Sequence, residues 1–346
     1  MFENTVISGN KTGIDHRTST GYVDGTNTLG DITVLGDVTT ASSNGHTASD
    51  GGGIYGAERA NITLINSSVT DNISGGVGGG IGVEDDSQLS VSGSLISGNK
   101  AGFQADGTNV TAVNKHGGGI YTRERVQLTL DGSVIKGNET SGQGGGLYQI
   151  EDSTATVTNS TFESNLAGRE GGGFYQTSTN SRSTVSNTTF TGNKAGFFSN
   201  TSYTIVNYDT ETTGNVATDL AIGQTVTTAT GSGLIVDRVQ NTNSTVSGII
   251  LLSGVTGTFT NNQLLDNGDV GNTALVNGTD ALGDGGGVYM GGGIMNLIHT
   301  TVTGNTAKDA GGGVRRNGGT VNFLNSVASN NDGRTAALDD LDGTIA

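Results

Sequence analysis

The chain contains no proline, no cysteine and no tryptophan among its 346 residues. At an average proline usage near 5%, about 17 prolines would be expected. Because proline has no N–H to give to a sheet, its absence favours a chain built almost wholly from hydrogen-bonded strands. Without cysteine there are neither disulfides nor thiolate metal sites.

Basic residues are also scarce: 16 Lys and Arg stand against 32 Asp and Glu, a net charge of -16. This balance argues against nucleic acid and anionic membranes as partners. No apolar run reaches the roughly 18 residues of a membrane span, so no membrane insertion is expected. The sequence shows no signal peptide. It opens inside a repeat, at Met1 to Asn10, which favours a processed piece or a fragment.

Glycine, in contrast, is abundant, and it recurs with a fixed period. A Gly-Gly-Gly triplet followed by an apolar residue begins at Gly51, Gly117, Gly144, Gly171 and Gly285, and in looser form at Gly78 and Gly311. Several successive triplets are 27 residues apart. A period of this length indicates a solenoid. The glycines would permit a positive-φ corner or close backbone packing.

Each repeat ends on an asparagine. The regular anchors are Asn10, Asn72, Asn99, Asn138, Asn165, Asn193, Asn267 and Asn305. Apolar residues lie three and eight positions before each of them, as Phe162 and Val157 do before Asn165. This alternation has a period of two and indicates strands. The asparagine suits a turn or a ladder of side chains stacked from coil to coil.

These patterns predict one all-β domain over residues 1–346, a parallel β-helix of about ten coils of about 27 residues. The count includes a weak anchor at Asn215 and an out-of-register one at Asn331. Residues 11–50 are an irregular excursion, residues 200–255 are degenerate coils, and residues 332–346 are an acidic tail.

Extra residues follow Asn10, Asn99 and Asn267, always between the asparagine and the next triplet. The insertions should therefore project from one side of the rod, and insertions on one side often mark a binding face. The alternative is that this corner merely tolerates extra length.

Two further columns carry chemistry. Tyrosines follow the apolar triplet residue at Tyr55, Tyr121, Tyr148, Tyr175 and Tyr289; such a stripe would either pack internally or stack on sugar rings. Acidic residues recur three positions later, and Glu84, Asp85, Asp86, Glu124 and Glu151 are the candidate calcium ligands. Pairing with neighbouring arginines, or simple solvation, is the alternative for these carboxylates.

The combination of Gly-Gly-Gly-Ile-Tyr with Phe-x-x-Asn, as at Phe162 to Asn165, resembles the repeats of bacterial right-handed β-helix surface proteins. These include the polymorphic outer-membrane proteins of chlamydiae and adhesin-like proteins of environmental bacteria. In that family the third triplet residue is alanine, whereas here it is glycine. The resemblance implies a right-handed helix, a place outside the cell or on its surface, and an adhesive role.

Other functions of β-helices find less support. Polysaccharide lyases and glycoside hydrolases need clustered carboxylates with basic residues along a groove. The histidines are scattered (His16, His46, His116 and His299), and Lys115-His116 is the only basic pair near an insertion. Ice binding needs a recurring Thr-x-Thr face, but Thr301 with Thr303 and Thr225 with Thr227 show this motif singly.

The sequence therefore predicts a non-enzymatic extracellular structural or adhesive protein, without a cofactor unless calcium binds. No amphipathic capping helix is evident at either end, and uncapped solenoids pair through their edges. End-to-end self-association into a fibre or surface layer is expected. A glycan or cell-surface ligand is the other expected partner, and a polysaccharide-degrading enzyme is the alternative.

Overall fold

The computed structural model describes residues 1–12, 50–104, 115–209, 220–240, 247–260, 262–267, 273–276, 283–333 and 339–343. Within these ranges the secondary structure consists of strands, isolated bridges, turns and bends. None of the described residues forms a helix that could cross a membrane.

The first half of the chain winds through short strands separated by tight turns. In chain order these are β1 (Phe2–Glu3), β2 (Val6–Ser8), β3 (Lys11–Thr12), β4 (Ile54–Gly56), β5 (Asn61–Ile65), β6 (Ser68–Thr70), β7 (Ile73–Ser74), β8 (Ile81–Val83), β9 (Gln88–Ser92), β10 (Leu95–Ser97), β11 (Lys100–Ala101), β12 (Ile120–Thr122), β13 (Gln127–Asp131), β14 (Val134–Lys136), β15 (Glu139–Thr140), β16 (Leu147–Gln149), β17 (Thr154–Thr158), β18 (Thr161–Glu163), β19 (Leu166–Ala167), β20 (Phe174–Gln176), β21 (Arg182–Ser186), β22 (Thr189–Thr191) and β23 (Lys194–Ala195).

The second half contains two kinds of strand. Longer ones come first: β24 (Thr204–Asp209), β25 (Thr225–Thr227), β26 (Gly231–Gln240), β27 (Gly248–Gly257), β28 (Leu264–Asp266) and β29 (Thr273–Val276). Short strands then resume with β30 (Val288–Met290), β31 (Ile294–Ile298), β32 (Thr301–Thr303), β33 (Thr306–Ala307), β34 (Val314–Arg316), β35 (Thr320–Leu324), β36 (Val327–Ser329) and β37 (Leu341–Asp342).

The short strands form four parallel sheets that run the length of a β-solenoid. Sheet A is β1-β5-β9-β13-β17-β21-β31-β35, and sheet B is β2-β6-β10-β14-β18-β22-β32-β36. Sheet C is β3-β7-β11-β15-β19-β23-β33, and sheet D is β4-β8-β12-β16-β20-β30-β34-β37. One coil passes through D, A, B and C in turn. The predicted parallel all-β solenoid is confirmed at this level.

The register follows the repeat. Leu147 of β16 lies opposite Ile120 on one side and Phe174 on the other, and Ile135 of β14 lies between Ile96 and Phe162. These inward residues belong to one apolar cluster that extends from Phe2 to Val321. Because equivalent apolar residues of successive coils stack on one another, each coil buries apolar surface that it could not bury alone.

The prediction of degenerate coils over residues 200–255 is wrong. The strands β24 to β29 form a closed antiparallel barrel in the order β24-β27-β26-β25-β28-β29. The barrel has its own core, which includes Tyr208, Ile250 and Leu252. The solenoid continues across it, because β20 pairs directly with β30 and β23 pairs with β33.

The barrel also changes the coil count. Sheets A and B hold eight strands each in the described chain, so the prediction of about ten coils is not confirmed. Asn267 follows barrel strand β28 and is therefore not a coil anchor. Asn215 and most of the excursion 11–50 lie outside the described residues. Part of the predicted acidic tail is strand β37, which pairs with β34.

Candidate functional site

The corner between sheets C and D is where the chain departs from its regular path. Residues 13–53 separate β3 from β4, residues 102–119 separate β11 from β12, and the barrel lies between β23 and β30. Where no insertion is present, the asparagine and the next triplet are only six positions apart, as Asn138 and Gly144 are. The insertions therefore leave from one corner, as the sequence predicts, but the third one follows Asn193 and not Asn267.

The glycine triplet builds this corner in two ways. Its first glycine has a positive φ, which is 71° at Gly144 and Gly171. Its second glycine lies against the next coil, since a Cβ on Gly145 would be 2.5 Å from the carbonyl oxygen of Gly172. Both predicted reasons for glycine therefore apply, each at a different residue of the triplet.

The repeat asparagines form a continuous buried ladder. Its members in order are Asn10, Asn72, Asn99, Asn138, Asn165, Asn193, Asn305 and Asn331, followed by Asp340. Asn138 is typical: its backbone N–H and its Nδ2 both donate to Oδ1 of Asn165, at 3.1 and 3.0 Å. Its Nδ2 also donates to the carbonyl oxygen of Ile96 at 2.9 Å. The ladder satisfies amide groups that no water reaches.

A second ladder, of hydroxyl groups, lies at the corner between sheets A and B. The backbone N–H of Ser94 donates to Oγ of Ser133 at 3.1 Å, and Ser133 donates in the same way to Ser160 at 3.1 Å. These residues lie five positions before each ladder asparagine, where serine or threonine recurs. The ladder was not predicted, although the recurrence of serine or threonine at this position can be seen in the sequence.

The tyrosines of sheet D stack face to face. Ring centroids are 5.2 Å apart for Tyr121 and Tyr148, 5.0 Å for Tyr148 and Tyr175, and 4.9 Å for Tyr175 and Tyr289. Each of the four rings is at most 7% exposed. Burial raises the pKa of Tyr148 and Tyr175 above the usual range. These four rings pack internally and do not offer their faces to a sugar. Tyr55 is half-buried and lies apart from them, because Gly82 stands in the coil between.

In four consecutive coils the residue before the triplet is polar, and these residues form a column alongside the tyrosines. Nδ1 of His116 accepts the backbone N–H of Gln143 at 3.1 Å, and Nε2 of Gln143 donates to Glu170 at 2.6 Å. The ring of His116 also stacks on Tyr148, 4.6 Å away. Burial, with Arg169 and Lys115 nearby, lowers the pKa of His116 to about 3. His116 therefore stays neutral near pH 7 and acts as an acceptor.

Asp284 continues this column next to Glu170. It accepts the backbone N–H of Ala310 at 2.9 Å and lies 3.3 Å from Nε of Arg315. Burial raises the pKa of Asp284 to about 6, against the opposing effects of the Ala310 N–H and Arg315. Two buried carboxylates in adjacent coils, at Glu170 and Asp284, were not recognised as a pair in the sequence because 114 residues separate them.

The predicted calcium ligands lie at the turn between sheets D and A. Positive φ values mark this turn, at 55° for Asp85 and 59° for both Asp86 and Glu124. Arg125 binds Asp86 through two contacts of 2.6 and 2.9 Å, and this guanidinium lowers the pKa of Asp86.

The remaining candidates also have partners. Arg123 contacts both Glu124 and Glu151, and Glu84 accepts the hydroxyl of Tyr55 at 3.0 Å. In the described ranges, no three carboxylate or histidine side chains lie close enough to share one metal ion. Calcium binding thus stays a prediction from sequence, whereas arginine pairing is present.

The barrel packs against sheet C through a third apolar cluster. Ile205, Ile249 and Leu251 on the outside of the barrel meet Phe103 and Phe198 of the solenoid corner. Polar contacts hold the segment that leads into the barrel. Glu139, which is 2% exposed, accepts the N–H of Ser199 at 2.8 Å and its hydroxyl at 2.6 Å, and pairs with Lys100 at 3.0 Å.

Residues considered for the alternative functions do not converge. His299 is exposed at the A–B corner, far in register from His116, while His16 and His46 lie outside the described residues. Thr301 and Thr303 of β32 pair with Thr189 and Thr191 of β22. One adjacent-coil recurrence of Thr-x-Thr therefore exists, which the barrel insertion hides in the sequence.

Comparison of the chain with protein-family models, with curated proteins and with solved structures found no match.

Proposed function

We propose that this chain is a non-enzymatic, extracellular structural and adhesive protein in which a rigid solenoid displays binding segments from one corner. The observation that carries the proposal is the placement of the insertions. All of them leave between sheets C and D, and the largest forms a barrel that docks on the solenoid through buried apolar and charged contacts. Such a scaffold fixes the position of a binding module without taking part in chemistry.

The chemistry of the buried residues supports a structural role. The repeat asparagines, the corner hydroxyls and the sheet D tyrosines contact their own copies in the neighbouring coils. Side chains held in this way are not available to a substrate. A right-handed winding belongs to the same proposal, because crossovers between parallel strands are right-handed in nearly all proteins.

End-to-end association is the second part of the proposal. In the described chain, β1 and β2 at one end and β35 and β36 at the other each pair with a strand on one side only. Val6 is 65% exposed at the first end, and Val327 is 55% exposed at the second. Unpaired strand edges with exposed apolar residues favour pairing with another chain.

A binding experiment with a matched deletion tests the adhesive role. Deleting residues 197–282 joins Gly196 to Gly283 and restores the six-residue link between Asn193 and Gly285. Wild type and deletion would be sedimented with insoluble cellulose, chitin and de-esterified pectin, and with whole bacterial cells. We expect at least one surface to retain the wild type and to lose the deletion variant. Equal retention of both proteins, or retention of neither, would contradict display by the barrel.

The same samples test the enzymatic alternative. Supernatants would be assayed for soluble reducing ends and for unsaturated uronate products over time, with and without added calcium. We expect no release above buffer. Sustained release by the wild type would replace the structural role with a polysaccharide-degrading one, for which Glu170 and Asp284 would be the first carboxylates to substitute.

A further inference from the structure

Strand β37 occupies the position in sheet D at which the first strand of another coil would lie. Leu341 lies opposite Val314, in the slot that Val288 and Phe174 occupy in earlier coils. The N–H of Gly313 donates to the carbonyl oxygen of Asp339 at 2.8 Å, and the N–H of Val314 donates to that of Asp340 at 2.9 Å. In this register Asp339 and Asp340 stand where the second and third glycines of a triplet would stand.

The side chain of Asp340 occupies the position that the ladder asparagine of the same coil would take. Its Oδ1 accepts the backbone N–H of Asn331 at 3.1 Å and Nδ2 of Asn331 at 2.9 Å. These are the two contacts that each ladder asparagine makes to the asparagine of the following coil, as Asn305 does to Asn331 at 3.0 and 2.9 Å. A carboxylate accepts but cannot donate onward, so the ladder ends here.

The position of Asp340 also excludes a further asparagine. At the third triplet glycine, an added Cβ would lie 2.8 Å from Nδ2 of the same coil's asparagine at Gly53, and 2.7 Å at Gly313. The asparagine therefore needs a glycine beside it. Asp340 fills with its own side chain the space in which the asparagine of a ninth coil would sit.

We propose that residues 339–343 are an intramolecular stop that blocks the stacking of a second copy on this end of the solenoid, and that Asp340 is the blocking residue. Among the described residues, the stop covers the end of sheet D and of the asparagine ladder. Sheets A and B still end on β35 and β36, where Leu324 is 50% exposed. The edges of β35 and β36 are therefore available to pair with strands of another chain.

The first coil of a second copy is the occupant that fits. It supplies β1, β2 and β3 to sheets A, B and C, while β37 already supplies the strand of sheet D. Together they would complete one coil. Asn10 donates to Asn72 through its N–H at 3.0 Å and its Nδ2 at 2.9 Å. It is thus a ladder member, and its own Oδ1 would take the place of the Asp340 carboxylate. This inference rests on the proposed end-to-end association and adds that Asp340 limits it.

Two substitutions at Asp340 separate the stop from the fold. Asp340→Gly restores a triplet-like glycine and vacates the space, whereas Asp340→Asn keeps the bulk and the Oδ1 acceptor. Assembly would be followed by sedimentation and electron microscopy over a concentration series. We expect Asp340→Gly to lower the concentration for half-maximal assembly by about tenfold or more, and Asp340→Asn to leave it unchanged. Adding Asn10→Ala to Asp340→Gly should reverse the gain, with Asn10→Ala alone as control.

Hydrogen exchange measured on the same variants distinguishes failure of the stop from failure of end-to-end association. Faster exchange at Asn331 reports loss of the Asp340 carboxylate, and unchanged exchange at Val314 shows that β37 stays paired. Unchanged exchange at Asn165 shows that the solenoid is intact. If wild type and Asp340→Gly assemble equally, end-to-end association stands but the stop is wrong. If no variant assembles at any concentration, both proposals are wrong. Assembly by Asp340→Asn at the level of Asp340→Gly would also overturn the role of the side chain.

Discussion

At the residue scale, asparagine is the one side chain that can hold this ladder together. Its amide accepts from the preceding coil through Oδ1 and donates to the following coil through Nδ2, and leaves no buried polar atom unpaired. Aspartate lacks the donor and leucine lacks both groups. The same residue type at the exposed corner, such as Asn187 with a φ of 48°, serves backbone conformation instead.

Removing one rung should therefore cost more than removing a corner residue. Asn165→Ala leaves the N–H and Nδ2 of Asn138 without their acceptor and the carbonyl oxygen of Ile135 without its donor. We expect a loss of about 3 kcal/mol in the free energy of unfolding, measured by chemical denaturation. Asn187→Gly, which keeps the left-handed turn, is the matched control and should change it by about 0.5 kcal/mol or less. Equal effects would contradict the ladder as a source of stability.

Asp284 gives the molecule a specific pH response. Its pKa in the folded protein, about 6, lies above the ordinary value, mainly because of burial. The folded state thus binds this proton more tightly than the unfolded state, so the contribution of Asp284 to stability falls as pH rises through 6.

Substituting Asp284 should remove this response. We expect Asp284→Asn to be more stable than wild type at pH 7 to 8, by at most about 3 kcal/mol, and to lose this advantage near pH 4. Thermal unfolding of both proteins across this pH range measures the difference. A constant difference at every pH would show that Asp284 does not titrate in this window.

At the element scale, a buried ion pair fixes the segment that leads into the barrel. Glu139 and Glu163 each lie 3.0 Å from a lysine, Lys100 and Lys136 respectively. The Glu139 side chain is 2% exposed and also holds Ser199, whereas that of Glu163 is 37% exposed. The two pairs have the same geometry but different surroundings.

This contrast makes them matched test sites. Glu139→Gln should loosen the segment around Ser199, because the uncharged side chain loses its pairing with Lys100 and keeps one acceptor for two donors. We expect exchange of the Ser199 amide and proteolysis near residues 196–203 to rise about tenfold or more. Glu163→Gln should leave both unchanged, since exposed pairs contribute little. No difference between the two variants would argue against anchoring by Glu139.

At the scale of the whole molecule, the solenoid is continuous without its barrel. Gly196 and Gly283 already touch, since a Cβ on Gly283 would lie 2.8 Å from Cα of Gly196. The coils on either side pair directly through β20 with β30 and β21 with β31. The barrel is an excursion from one corner and not part of the stack.

Deletion of residues 197–282 should consequently leave a folded solenoid. We expect the far-ultraviolet circular dichroism to remain that of a β protein and the Asn165 amide to stay protected from exchange. The exposed Phe103 should be the site of any new association, because the barrel covers it in the full chain. A Phe103→Ser version of the deletion controls for this effect. Global unfolding of both versions would show that the barrel is required for the stack.

The repeating part of the molecule can be predicted from the sequence alone. Glycine triplets, ladder asparagines and period-two apolar residues recur in adjacent coils, so local pattern and tertiary neighbour carry the same information. Leu147, for example, faces Ile120 and Phe174, which hold the same place in the repeat. The parallel sheets and the common corner of the insertions could be predicted for this reason.

The barrel and the contacts of the buried charged residues could be seen only in the tertiary structure, because they join residues that the repeat period does not relate. The barrel closes through antiparallel pairs such as that of Ile205 with Leu251, and its interrupted sequence resembles weak coils. Glu170 lies near enough to Asp284 to influence its charge, and Glu139 accepts the hydroxyl of Ser199, across gaps set by the insertion. Asp340 reaches Asn331 only because β37 returns to sheet D. Burial of these charged groups, and hence their pairing, depends on packing that is specified by the fold and not by the repeat.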